Sequence, residues 1–157
     1  MPPTTEPRFT MASLHQMLGK ELGLSDWLSI DQPLIDSFAR TTGDRQWIHT
    51  DPERAARESP FGTTVAHGFL IAALLPRFIE MLAIVPGDAR LVVNYGIDRL
   101  RFTAPVPAGS RLRDRVVLRE LRPREGGALL ATTGHVIEME GSERPAMLCD
   151  VLTLFVP

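Results

Sequence analysis

The chain has 157 residues, 44% of them hydrophobic and 23% charged, with a formal net charge of −2. That size and balance suit one folded domain, expected over residues 1–157, and give no bulk attraction to nucleic acid or anionic lipid. Cys149 is the only cysteine, which excludes an intrachain disulfide and a cysteine-based zinc cluster.

The first stretch, MPPTTEPRFTMASLHQ, lacks a basic start followed by an apolar run and so does not read as a secretory signal. Residues 1–12 are proline-rich and are expected to form a loose arm. A helix is predicted from Ser13, with Leu14, Met17, Leu18 and Leu22 at helical spacing and Gly23 as its stop. SDWLSI is a short extended piece. DQPLIDSFARTTG is a second predicted helix, with Asp31 as cap, Pro33 in the first turn and Gly43 as terminator. Asp44 therefore falls on a loop just past a helix end.

Thr50 and Glu53 have the spacing of a capping box, which predicts a third helix through PERAARES. After the turn SPFGTT comes VAHGFLIAALLPRFIEMLAI, the strongest helix signal in the chain. Its first half is apolar on all sides and should be buried, with Pro76 as a kink. That run is interrupted by Pro76, Arg77 and Glu80 and is too short for a membrane span, so a cytoplasmic location is expected.

From about residue 90 the character changes to four β-rich segments separated by Pro and Gly turns. In SRLRDRVVLRE, Leu112, Asp114, Val116 and Leu118 share one parity, giving a mixed inner face opposite an arginine-rich one. An antiparallel sheet around one apolar helix accommodates both halves of the chain, and its long strands leave an edge suited to pairing with a second copy.

The chemistry concentrates in TTGDRQWIHTDPERAARESPFGTTVAHGFL. Asp44 and His49 would lie on different faces of a helix, but on a loop leading into a helix they can converge around one water and exchange protons with it. A loop carboxylate beside a capping histidine, or a metal site from Asp44, His49 and Asp51, are the other readings of these residues. His67 suits packing and hydrogen bonding at a helix start. Gly68 suits either close helix–sheet packing or a backbone amide that a ligand oxygen can approach. No Gly-x-Gly-x-x-Gly follows a strand and no phosphate-binding loop is present.

This stretch resembles the hydratase signature of the MaoC-like, (R)-specific enoyl-CoA hydratase family: Gly-Asp, four residues, His, then Ala-His-Gly. Gln46-Trp47-Ile48-His49, Asp51-Pro52 and Ser59-Pro60-Phe61-Gly62 are similar to its nodulation protein N-like branch, as is NYGIDRLRFTAPVPAGSRLR. The similarity spans about residues 13 to 122. It implies an α+β hot dog fold, a curved antiparallel β-sheet wrapped around a long central α-helix, and a homodimer. It implies reversible hydration of trans-2-enoyl-CoA to (3R)-3-hydroxyacyl-CoA in fatty-acyl-CoA metabolism, with Asp44 and His49 as the catalytic pair and the Gly68 amide on the thioester oxygen. The coenzyme A thioester is the substrate; no metal and no other cofactor is implied, and no nucleic acid or membrane partner. Gln46-Trp47 stands where relatives more commonly have Asn-Pro, and Pro76 or its neighbours where some carry a polar pocket residue. A hot dog acyl-CoA thioesterase and a non-catalytic acyl-CoA-binding subunit are the rival functions.

Overall fold

The structure is a computed structural model and describes residues 6–157. Residues 1–5 of the expected arm lie outside the described residues. The rest of that segment is docked: the Arg8 amide donates to the Ala83 carbonyl, its guanidinium to that of Leu22, and Met11 is buried with its amide on Asp88.

Six strands form one antiparallel sheet: β1 (Glu21–Leu24), β2 (Leu28–Ile30), β3 (Leu91–Phe102), β4 (Ser110–Pro123), β5 (Leu129–Met139) and β6 (Met147–Val156). The order is β1-β4-β5-β6-β3, and β2 also pairs with β4. The four long strands fall where the β-rich segments predict them. The helix predicted from Ser13 to Leu22 is not present. A 3-10 turn covers Ser13–Met17, Gly19 turns the chain with φ +74°, and Leu22 and Gly23 lie on β1. Pairing of β1 with β4 inserts Leu22 into the core, where an isolated helix of this length is marginal on its own.

Helix α1 (Gln32–Thr42) follows its sequence signals closely. The Asp31 carboxylate accepts from the Leu34 amide, and Gly43 ends the helix in the left-handed region at φ +80°, where a side chain would be strained. A short helix α2 (Trp47–Thr50) and then α3 (Pro52–Glu58) follow. The cap of α3 is Asp51, which accepts from the Arg54 amide at 2.9 Å, rather than Thr50, which is the last residue of α2.

The central helix is two pieces, α4 (Gly68–Ala73) and α5 (Leu75–Leu82), joined at Leu74 just before Pro76. Pro76 lacks the amide that would continue the ladder. Leu70, Ile71, Leu75, Phe78 and Leu82 face the sheet. The first half is not buried all round: Phe69 is 69% exposed and stands edge-on to Phe102 of β3.

The core between helix and sheet has two apolar clusters. One gathers Ile35, Ile71, Phe78, Leu112, Ile137 and Met147; the other gathers Leu14, Leu22, Leu82, Val116, Leu118 and Phe155. On the inner face of the sheet, belonging to neither cluster, lie Asp114, His135 and Thr133. The Asp114 Oδ2 is 2.6 Å from His135 Nδ1, and His135 Nε2 is 2.8 Å from the Thr133 hydroxyl. Burial pushes the Asp114 carboxyl up, against the pull of His135. Cys149 on β6 is buried nearby, and burial raises its thiol to about 12, so it behaves as an inert core residue. On the outer face Arg113 and Arg115 both engage Glu138, and Arg115 also reaches Glu21. These arginines are a laced strand surface.

Replacing Asp31 by Ala removes the α1 cap and lowers stability by about 1 kcal/mol. In urea the unfolding midpoint falls while the slope of the transition is unchanged.

Candidate active site

Asp44 owes its position to the end of α1. The turn at Gly43 throws the chain away from the helix axis, and the Asp44 amide is held by the Thr42 hydroxyl at 3.3 Å. The carboxylate is exposed and lies 3.5 Å from the Gln46 amide.

His49 is buried on α2. Its Nδ1 lies 2.6 Å from the carbonyl oxygen of Val65. A carbonyl only accepts, so Nδ1 carries the proton and Nε2 is left as a bare lone pair. Burial lowers the His49 pKa below its ordinary value; the Val65 hydrogen bond and the Asp44 charge oppose this, and His67 adds to it. The ring is thus a neutral base at pH 7. Its main-chain carbonyl is held by the Gln32 side chain, which also contacts Asp36 and Thr64.

His67 precedes α4, and its Nε2 donates to the Asp44 backbone oxygen at 2.9 Å. Its ring stacks on that of His49, with centroids 3.8 Å apart and planes 26° apart, and its other face meets Phe38. It is buried, and its Nδ1 has no partner among the described residues. The reading of His67 as a packing and hydrogen-bonding residue is correct for the contacts, but these contacts are with the two candidate catalytic residues. Neither this role nor the Gln32 clamp has a local sequence signal; both depend on chain segments 17 or more residues apart.

A carboxylate oxygen of Asp44 and a ring nitrogen of each of His49 and His67 all lie within 4.8 Å of one another. Two hydrogen bonds of about 2.8 Å through one water bridge such a gap. The same set has the donor types of a metal site, but the stacked rings fit an ion poorly: lone pairs in near-parallel planes do not converge on one point. Asp51 caps α3 and is not in this set.

Gly68 is the first residue of α4, where helix amides have no intrahelical acceptor. A Cβ built there would meet the Phe102 ring at 2.7 Å. Glycine is therefore required for the close packing of the Phe102 ring on the start of the helix. Gly68, Phe61, Ile71, Phe102 and Val106 line a cleft of about 320 Å³. A larger cavity of about 530 Å³, lined by Pro76, Ile79, Leu118 and Thr133, lies farther along the central helix and touches neither Asp44 nor His49.

A family model described as a MaoC like domain matches residues 13–139. This chain belongs to the MaoC-like dehydratase family. Among its MaoC-like relatives, 3-hydroxyacyl-thioester dehydratase Z of Mycobacterium tuberculosis (strain H37Rv) is 44% identical over 147 residues, spanning 94% of this chain and 96% of the relative. Nodulation protein N of Rhizobium leguminosarum bv. viciae is 46% identical over 148 residues, spanning 92% and 90%. The fold matches the (R)-hydratase of A. caviae involved in PHA biosynthesis, with a TM-score of 0.70 at 22% identity over 89% of this chain and 96% of that one. The MaoC-like chain thus has the expected hot dog fold. Among the described residues no helix is long and apolar enough to cross a membrane.

The lowered pKa of His49 has a measurable sign. In a pH series followed by NMR its ring resonances are expected to titrate below 6.5. An unfolded chain protonates that ring first, so stability contributed by the neutral ring holds above pH 6.5 and declines as pH falls through the lower, folded-state value.

Proposed function

We propose that the protein catalyses reversible hydration of trans-2-enoyl-CoA to (3R)-3-hydroxyacyl-CoA, with Asp44 and His49 as the catalytic pair. The observation that carries this reading is the one-water gap between the Asp44 carboxylate and the histidine rings, beside the start of α4. Names of relatives support it: one is a 3-hydroxyacyl-thioester dehydratase, and another is a 3-hydroxybutyryl-CoA dehydratase, from Methylorubrum extorquens.

A water in that gap gives one hydrogen to the bare Nε2 of His49 and one to the Asp44 carboxylate. Its lone pair is then free to attack C3. As the C3–O bond forms, His49 takes the water's proton, and the C2–C3 π pair moves toward the thioester oxygen. The Gly68 amide, at the positive end of α4, holds that oxygen. His49 then returns its proton to C2. Asp44 orients the water and stabilises the transient imidazolium. The addition is neither a redox nor a metal-dependent step, so it calls for no further cofactor. The acyl chain follows the central helix toward the 530 Å³ cavity; Pro76 on its wall lies eight residues, about 12 Å, beyond Gly68.

Asp44→Asn and His49→Gln each lower crotonyl-CoA hydration by about 10² to 10⁴, with unfolding curves close to wild type. Loss of the conjugated-thioester absorbance measures the reaction. Near-normal turnover by either variant refutes the assignment; release of free thiol without hydration identifies a thioesterase instead.

The functional unit is proposed to be a homodimer formed along β3. This edge strand exposes Leu91, Val92, Tyr95 and Ile97, a row that unpaired strands rarely leave bare. Solved relatives include the two-component ChsH1-ChsH2 and HadBC complexes, so a distinct partner is the competing outcome. Light scattering on the purified chain should give about twice 17.4 kDa, and Ile97→Glu should halve that mass.

A further inference from the structure

The 530 Å³ cavity is apolar except along one wall. Thr133, Thr153 and Asn94 form that wall, and Glu80 is the only charged residue lining the cavity among the described residues. The three polar residues lie on adjacent strands: Asn94 opposes Thr153 across β3 and β6, and Thr153 opposes Ala131, two positions from Thr133 on β5.

Thr133 differs from its neighbours in being held from behind. Its hydroxyl is 2.8 Å from His135 Nε2, and His135 Nδ1 is 2.6 Å from Asp114. Asp114 is 0% exposed and His135 2%, and neither lines the cavity. A carboxylate, an imidazole and a hydroxyl stand in series here beside an otherwise apolar cavity. Their burial carries a desolvation cost that plain aliphatic residues would avoid.

The proton arrangement decides what the wall can bind. When His135 donates from Nδ1 to the Asp114 carboxylate, Nε2 accepts the Thr133 hydrogen. The Thr133 oxygen then offers only lone pairs, which call for a donor. When the proton lies on Nε2, His135 donates to Thr133, and the Thr133 hydrogen is free for an acceptor. Its one other acceptor among the described residues is the Val151 carbonyl, at 3.4 Å. An alcohol satisfies both arrangements. A ketone satisfies only the second. A carboxylate meets no cation on the cavity lining and has Asp114 behind the wall.

We propose that Thr133, positioned by His135 and Asp114, is the specificity-determining residue of this cavity and selects acyl chains that carry a hydroxyl group at the depth of β5. This rests on the acyl-CoA reading of the site above and narrows its substrate class to hydroxylated chains.

Binding of saturated acyl-CoAs, which cannot be hydrated, separates the two ideas. A chain-length series is titrated calorimetrically, each length both plain and with a terminal hydroxyl. At one length the hydroxylated ligand binds about tenfold tighter than its plain counterpart, the gain of one well-made hydrogen bond. Thr133→Val abolishes that gain, so that plain and hydroxylated chains of one length bind it equally, whereas Thr133→Ser keeps the gain. The wild-type comparison stands even if the valine variant folds poorly. A hydroxyl that never tightens binding at any length overturns the proposal, as does a gain that survives in Thr133→Val. Absence of any acyl-CoA binding overturns it together with the reading on which it rests. Binding with the hydroxyl preference but without turnover of enoyl-CoA overturns hydration alone.

Discussion

The contact on which the site depends is the hydrogen bond from His49 Nδ1 to the Val65 carbonyl, 2.6 Å long and buried. It fixes which ring nitrogen bears the proton, and so which one is free to act as a base. It also ties α2 to the strand-like segment that leads into α4, since the Val65 amide returns a bond to the Ile48 carbonyl. Two chain segments that meet only through folding are thereby locked in register. His67 adds the third constraint by gripping the Asp44 backbone while stacking on His49. The orientation of the His49 ring is thus set by the Val65 carbonyl and the stacked His67 ring, and in the proposed reaction such a fixed ring costs little reorganisation when charge moves.

What the chain declares locally, it declares well. Asp31, Pro33 and Gly43 mark α1 because a cap, a fixed φ and a left-handed terminator act within a few residues of themselves. The alternation in β4 places Leu112, Asp114, Val116 and Leu118 on one face, and that face is the buried one. The failures share a cause. Leu14 to Leu22 has helical spacing, yet its second half is recruited by β4 from nearly a hundred residues away. Thr50 and Glu53 have the right spacing for a cap, yet Asp51 is nearer the orphan amides. Gln32 and the links from Asp114 through His135 to Thr133 are tertiary facts. The one sign available beforehand was an aspartate on an otherwise apolar strand face, with a histidine and a threonine two apart on another.

The two apolar clusters and the polar series between them divide the interior by chemistry as well as by space. Aliphatic packing supplies most of the favourable burial. The polar series supplies direction, because hydrogen bonds are satisfied in only a few geometries, whereas methyl groups pack in many. The strand register that brings Val116 opposite His135 and Thr133 opposite Leu118 is thus constrained by more than hydrophobic fit.

Phe102 packs against Gly68 at the start of α4 while sitting at the end of β3, an edge strand of the sheet. A bulge between Asp98 and Arg101 interrupts the ladder immediately before it. One strand therefore carries both an exposed apolar border and the ring that packs against the first residue of the central helix. A load placed on that border is felt a few residues along the same backbone, where Phe102 and Gly68 share the lining of one cleft.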